Sequence, residues 1–294
     1  MVTAEPTTPT GLWVRIDGPT VAWPAVILEP GLGASSVGWS RVRQHLAART
    51  RVITYDRAGL GASPRVDGDR GLDPLATDLA AVIHAHGGQR PVVLVGHSLG
   101  ATVARHLAAT RPELVAGLVL IDPIPEPWAL RHAWWGAAVA QLTYRSLESL
   151  AHLGLIDAAL ALPVLRRITR SSTSPRSAFS VTERAALAAE MRNPVSHRTA
   201  RGEFIGLLRS RSALHALSTT LATAVPMVVF SGGPTRSPTA PLRRIATTWH
   251  ERLVAANPNA RHLIVDDGGH FISRYQPEIV ATAVMDLLSG IRGT

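Results

Sequence analysis

Ser98 stands in Gly96-His97-Ser98-Leu99-Gly100. The apolar run Pro91-Val92-Val93-Leu94-Val95 leads into it, and Ala101 to Thr110, a stretch of helical character, leads out. Gly-x-Ser-x-Gly is a weak signal alone and a strong one between a buried strand and a helix, where a nucleophile can be displayed. So tight a turn strains the central residue, and side chains at the flanking positions would collide; Gly96 and Gly100 leave the room. The Ser98 hydroxyl is thereby lifted to the top of a sheet. The N–H of Leu99, at the start of the helix, can face the oxyanion that forms when a carbonyl is attacked.

The elements that must hold this turn follow an α/β rhythm. Residues 11–18 and 25–29 read as strands; Ala25-Val26-Ile27-Leu28 is a continuous apolar run that suits burial on both faces. A Gly-rich turn follows, Glu29-Pro30-Gly31-Leu32-Gly33-Ala34, and then a predicted helix over 39–48. Further strands are predicted at 51–55, 115–121, 225–230 and 261–265, with helices at 73–86, 242–256 and 277–289. This alternation predicts one α/β domain with a mostly parallel central sheet and helices on both faces. Functional residues in such sheets lie at the carboxyl ends of the strands, where Ser98, Asp122 and the Gly31–Ala34 turn all fall. Residues 126–221 carry no strand signal. They read as a helical cap inserted between core segments 1–125 and 222–294, with a capping box at Ser180-Val181-Thr182-Glu183 and a loop at Arg170–Pro175. The very apolar stretch Leu150–Leu165 is expected to line the core or a substrate pocket, with contact with a membrane surface as the alternative.

Composition narrows the function classes. The 294 residues include no Cys and no Lys, and the net charge of +9 is carried by 30 Arg. Disulfides, thiolate metal sites, Schiff bases and a Walker lysine are excluded. The Arg residues form no block and no nucleic-acid motif accompanies them, so the charge is read as spread over solvated faces and no nucleic-acid partner is expected. No metal-ligand spacing and no dinucleotide fingerprint is present, so neither metal nor cofactor is expected. No run approaches a membrane span and the N-terminus lacks a signal-peptide pattern; the expectation is a cytoplasmic protein without stable membrane insertion.

The sequence resembles the α/β-hydrolase superfamily. The resemblance covers most of the chain outside the cap. It rests on Gly96-His97-Ser98-Leu99-Gly100, on Tyr55-Asp56-Arg57-Ala58-Gly59-Leu60-Gly61-Ala62-Ser63, on Gly31-Leu32-Gly33 and on Gly269-His270-Phe271-Ile272. It implies a catalytic triad. A serine hydroxyl needs a base to take its proton. Of twelve His, only His270 lies in a Gly-flanked loop after the last strand, from which an imidazole can reach Ser98. His97, beside the nucleophile on a sharp turn, is read as a packing residue. The triad acid departs from the commoner family pattern, because Ser231 to Thr239, after the strand ending at Phe230, holds no Asp or Glu. A second family arrangement places the acid after the strand that follows the nucleophile helix, which is Asp122; Asp266 and Asp267 are the rivals. The oxyanion hole is expected from the N–H groups of Leu99 and Leu32. Many members have His-Gly before the latter position; this chain has Pro30-Gly31. Glu29 is read as a structural carboxylate, with a titrating group at the pocket floor as the alternative, and Asp56-Arg57 as a tie between loops.

The function expected is hydrolysis of a carboxylic ester, lactone or thioester of a small to medium, largely apolar molecule through an acyl-enzyme. The same triad could instead serve C–C bond hydrolysis, cofactor-free peroxidation or acyl transfer. A ligand-binding protein on a hydrolase scaffold is the non-catalytic alternative. No Asp stands at the nucleophile position, which argues against dehalogenase or epoxide hydrolase chemistry.

Overall fold

The computed structural model describes residues 11–293 apart from 21, 66, 132, 163–178, 221, 224, 234–239 and 267. Seven strands, β1 (Val14–Asp17), β2 (Val26–Glu29), β3 (Val52–Tyr55), β4 (Val92–His97), β5 (Val115–Ile121), β6 (Met227–Gly232) and β7 (Ala260–Val265), form one sheet in the order β1-β3-β2-β4-β5-β6-β7. Only β1 runs antiparallel, against β3. It is shorter than the 11–18 stretch suggested. The chain steps from β2 outward to β3, then crosses back to β4 on the other side of β2. Loops leaving β2 and β4 diverge at that point, which is where parallel sheets open a crevice at their carboxyl ends.

The two-residue period of the strands sorts their side chains onto two faces. Leu94, Leu118 and Leu120 point to one side, where they meet α2 (Leu72–His86) and α3 (Leu99–Thr110). Val93, Val95 and Val119 point to the other, against α1 (Ser40–Ala47) and the C-terminal helix Pro277–Arg292. Along that last helix Val280, Val284 and Leu288 recur every fourth residue and are fully buried. Each such side chain contributes about 1.5–3 kcal/mol on leaving water. Strands β2, β3, β4 and β6 are buried at every position, as their unbroken apolar runs require. Helix α1 starts one residue later than the sequence reading, because Ser36–Trp39 forms a 3-10 turn capped by the Ser35 hydroxyl.

Between β5 and β6 the described residues are helical. They form α4 (Glu126–Arg131), α5 (Ala133–His152), α6 (Ile156–Ala161), α7 (Val181–Arg192), α8 (Pro194–Arg209) and α9 (Arg211–Thr219). The capping box at Ser180 and Glu183 is formed. Leu207 and Leu208 of α8 and Leu214 and Leu217 of α9 are buried in the same cluster as α2, α3 and the sheet. Leu153, Leu155 and Leu162 are the opposite case. They are 69%, 48% and 56% exposed, so these three leucines of the Leu150–Leu165 stretch do not line the core. Ile156 alone anchors the short α6 by full burial. Residues 163–165 and the Arg170–Pro175 loop lie outside the described residues. Helix α10 (Ala240–Ala255) follows β6, and α11 (Ile272–Tyr275) and α12 (Pro277–Arg292) close the chain. Among the described residues, no helix is long and apolar enough to cross a membrane.

The elbow between β4 and α3 depends on close backbone approach. A Cβ on Gly96 would stand 2.5 Å from the Gly100 carbonyl oxygen and 2.6 Å from the Ala101 nitrogen. A Cβ on Gly100 would stand 2.5 Å from the Pro30 carbonyl oxygen, and would press on the loop that leaves β2. Gly290, in α12, has open space around it. Gly100→Ala is therefore expected to destabilise the fold by about 1–3 kcal/mol or more in urea denaturation. Gly290→Ala should leave stability unchanged or raise it by up to about 1 kcal/mol through helix propensity.

Candidate active site

Ser98 sits at φ 54° and ψ −116°, the strained conformation expected of an elbow. Its N–H donates to the Ile121 carbonyl at 3.0 Å, and its own carbonyl accepts from Ala101 N–H and Thr102 N–H as α3 begins. The residue is buried. Leu99 is the first residue of α3, and the first N–H groups of a helix have no partner within it.

The neighbouring strand end repeats the device. Register pairs His97 with Ile121, so Asp122 lies beside Ser98. Asp122 is also left-handed, at φ 47°, and its N–H donates to the Phe230 carbonyl at 2.9 Å. Its buried carboxylate accepts from His270 Nδ1 and from both terminal nitrogens of Arg243. Burial works to raise the Asp122 pKa, but the His270 hydrogen bond and charge, with those of Arg243, hold it well below the usual carboxylate range. The rival Asp266 is exposed, on the loop beside Gly233, and Asp267 lies outside the described residues. His97 does more than pack. Its Nε2–H donates to the His270 carbonyl at 2.8 Å and its ring centroid is 4.6 Å from that of His270. Burial, followed by the His270 charge, pushes the His97 pKa down to about 3, so the ring stays neutral.

The loop carrying Leu32 is held from below by one cation. Arg57 is completely buried. It donates to Glu29 at 2.8 Å, to the Pro30 and Gly31 carbonyls at 2.6 Å each, and to both oxygens of Glu203 at 2.7 and 2.9 Å. Glu203 comes from α8 and also accepts from Gly33 N–H at 2.9 Å. Tyr55 O–H donates to the second oxygen of Glu29. Burial pushes the Glu29 carboxyl up to about 7 against the pull of Arg57. Asp56, next along, accepts from Ser36 N–H at 2.7 Å and Ala62 N–H at 2.9 Å. Glu29 and Asp56-Arg57 thus tie these loops together.

With this geometry in view, the family model for the alpha/beta hydrolase fold matches residues 24–274, most of the chain. The chain belongs to the α/β-hydrolase family. Curated relatives match over shorter stretches. "Putative carbamate hydrolase RutD" of Azorhizobium caulinodans is 36% identical over 97 residues, covering 33% of this chain and 36% of that protein. "Lipase LipV" of Mycobacterium tuberculosis is 44% identical over 85 residues, covering 29% and 31%. The chain thus spans about a third of the length of the curated relatives it matches. Among solved structures, a haloalkane dehalogenase variant from Bradyrhizobium elkanii superposes with a TM-score of 0.70 at 22% identity, over 100% of this chain and 97% of that one. A thermophilic esterase from Thermogutta terrifontis gives 0.66 at 21% identity, over 99% and 98%. At such identities the likeness is one of fold.

Against the α/β-hydrolase frame, three groups escape sequence reading. Glu203 lies 146 residues from Arg57, in a segment without a motif. Arg243 lies 121 residues from Asp122 and looks like any other Arg. The third is a buried chain of polar side chains behind Asp122. The Pro123 carbonyl can only accept, so His250 Nε2 carries the proton it donates there at 2.9 Å. His250 Nδ1 must then accept, and does so from the Ser231 hydroxyl at 2.7 Å. Ser231 in turn accepts from His262 Nε2 at 2.7 Å. Ser231 and His250 are fully buried. Ser231 lies in β6, just before the segment where the commoner family pattern has its acid. Among the described residues no group of three or more His, Cys, Asp and Glu could hold a metal.

Two outcomes test these supports. Arg57→Met strands two buried carboxylates and should cost about 3–5 kcal/mol in chemical denaturation. His250→Phe leaves the Pro123 carbonyl and the Ser231 hydroxyl short of partners and should cost about 1–3 kcal/mol at pH 7. Burial pushes the His250 pKa down to about 4, below the unfolded value of about 6.5. Its contribution is therefore complete above about 6.5 and fades as the pH falls toward 4. The gap in urea midpoint between His250→Phe and the parent should accordingly be smaller at pH 4.5 than at pH 7.

Proposed function

We propose that the chain is a serine hydrolase acting on the carboxylic ester, lactone or thioester of a small to medium apolar molecule. Ser98 is the nucleophile, His270 the general base and Asp122 the acid that fixes the imidazole. The N–H groups of Leu32 and Leu99 form the oxyanion hole. The observation that carries this reading is the pairing of His270 Nδ1 with Asp122 one strand over from a strained Ser98. With Nδ1–H committed to Asp122, Nε2 is the nitrogen that can take a proton.

The reaction runs in two halves. Ser98 Oγ attacks the substrate carbonyl carbon as His270 Nε2 takes its proton, and the carbonyl oxygen becomes an oxyanion facing the two N–H donors. Collapse breaks the bond to the leaving alcohol or thiol, which receives the proton from His270. Water then attacks the acyl-enzyme, gives a proton to His270, and releases the acid as Ser98 regains its hydrogen. A neutral imidazole is needed for the first step, and Asp122 stabilises the imidazolium between steps. The names of the curated relatives, a carbamate hydrolase and a lipase, support an attack on acyl carbon. The dehalogenase likeness does not extend to chemistry, because displacing a halide through an ester intermediate requires a carboxylate nucleophile and the elbow holds Ser98.

The test is turnover of a p-nitrophenyl ester series of increasing acyl length. Ser98→Ala should lower kcat by a factor on the order of 10⁴ or more, and Asp122→Asn by a similar order. A fluorophosphonate should label Ser98. Hydrolysis that survives Ser98→Ala, or a wild type that neither turns over nor labels, overturns the reading.

A further inference from the structure

Arg243 and His250 are seven residues apart on α10, two turns, and therefore on one face. Both reach the dipeptide Asp122-Pro123. His250 holds the Pro123 carbonyl. Arg243 forms a two-pronged bond to the carboxylate: Nη1 donates to Oδ2 at 2.8 Å and Nη2 donates to Oδ1. Oδ2 is also the oxygen that accepts from His270 Nδ1. A planar guanidinium meeting a carboxylate through two parallel bonds fixes the plane of the carboxylate, and that plane sets the direction from which His270 bonds. The pair is nearly dry, with Arg243 10% and Asp122 5% exposed at the side chain, so the Arg243 charge is weakly screened.

We propose that Arg243 is a positioning residue that holds the Asp122 carboxylate in the plane His270 requires and, by neutralising much of its charge, makes the imidazolium formed in turnover less stable, so that the reaction extends to lower pH. The proposal rests on the reading of Ser98, His270 and Asp122 given above. A lone carboxylate would offer the imidazolium a full negative charge. Asp122 paired to Arg243 offers an ion pair, whose attraction for a second cation is smaller.

Other titratable and charged groups surround His270 from several elements. His97, from β4, is neutral down to about pH 3. Arg274, from α11, lies over the Phe271 ring at 4.7 Å and remains a cation. Glu190, from α7, acts on Arg274 and is tied to Ser35, and burial raises its pKa. His250, behind Pro123, is neutral above about pH 4. Asp266, at the start of the loop, is exposed.

The experiment compares Arg243→Gln and Arg243→Lys with the parent. The readouts are the pH profile of kcat/KM on a p-nitrophenyl ester and an NMR titration of the His270 ring, assigned with His270→Gln. In Arg243→Gln the acidic limb and the ring titration should both move up by about one pH unit, and plateau kcat should fall about tenfold. Lys restores charge without the fork, so Arg243→Lys should return the limb toward the parent while plateau kcat stays low. Circular dichroism confirms that each variant is folded. If Arg243→Gln does not fold, Arg243→Lys still decides, because a plateau equal to that of the parent denies the fork its role. An unmoved limb and ring titration in a folded, active Arg243→Gln overturns the proposal. A ring titration that moves while no turnover depends on Ser98 leaves the electrostatics standing and overturns the hydrolase reading instead.

Discussion

The Arg57 guanidinium is the point on which the site is built. It is fully buried, so it persists only because every direction around it ends in an acceptor: two carboxylates and two carbonyls. Those acceptors belong to three parts of the chain that are far apart in sequence: the end of β2, the turn after it, and α8. Because one cation binds all three, the Pro30–Gly33 turn is set relative to the sheet and not left to loop entropy. The Leu32 N–H inherits that precision, and so does its spacing from Leu99, since Glu29 and Gly96 are register partners on adjacent strands.

The turn at Asp122 is held in a similar way, by a different part of the chain. The elbow displays a residue by straining it, and the same left-handed turn recurs one strand over at Asp122. Strain of this kind lasts only where neighbours over-determine the backbone. Around Asp122 they do so three times: through its N–H on Phe230, through the Pro123 carbonyl on His250, and through the carboxylate on Arg243. Residues 233–239 contain no Asp or Glu, yet β6 and α10 on either side supply Ser231, Arg243 and His250. These surround Asp122, one strand earlier.

The sheet was legible in the sequence because parallel strands buried on both faces must be continuous apolar runs, and Ala25–Leu28, Val92–Val95 and Val115–Ile121 are such runs. The elbow was legible because Gly96 and Gly100 are demanded by backbone approach. The proximity of His270 and Asp122 could be read only through resemblance, since 148 residues separate them. Glu203, Arg243 and His250 were not legible, because a buried ion pair or polar chain leaves no periodic trace in sequence and its partners are set by tertiary packing. Leu153, Leu155 and Leu162 show the converse limit. Apolar composition predicts burial only when an element has a surface to lie on, and the short α6 settles through Ile156 alone.

Helix α8 cannot leave the sheet without pulling Glu203 off Arg57 and leaving both charges bare in a dry interior. A lid that swung as one rigid body would have to break that pair in every cycle, against a barrier of several kcal/mol. Helix α8 therefore serves as a wall and not as a door. Any rearrangement of the helices between β5 and β6 that spares the Glu203–Arg57 pair has to leave α8 in place.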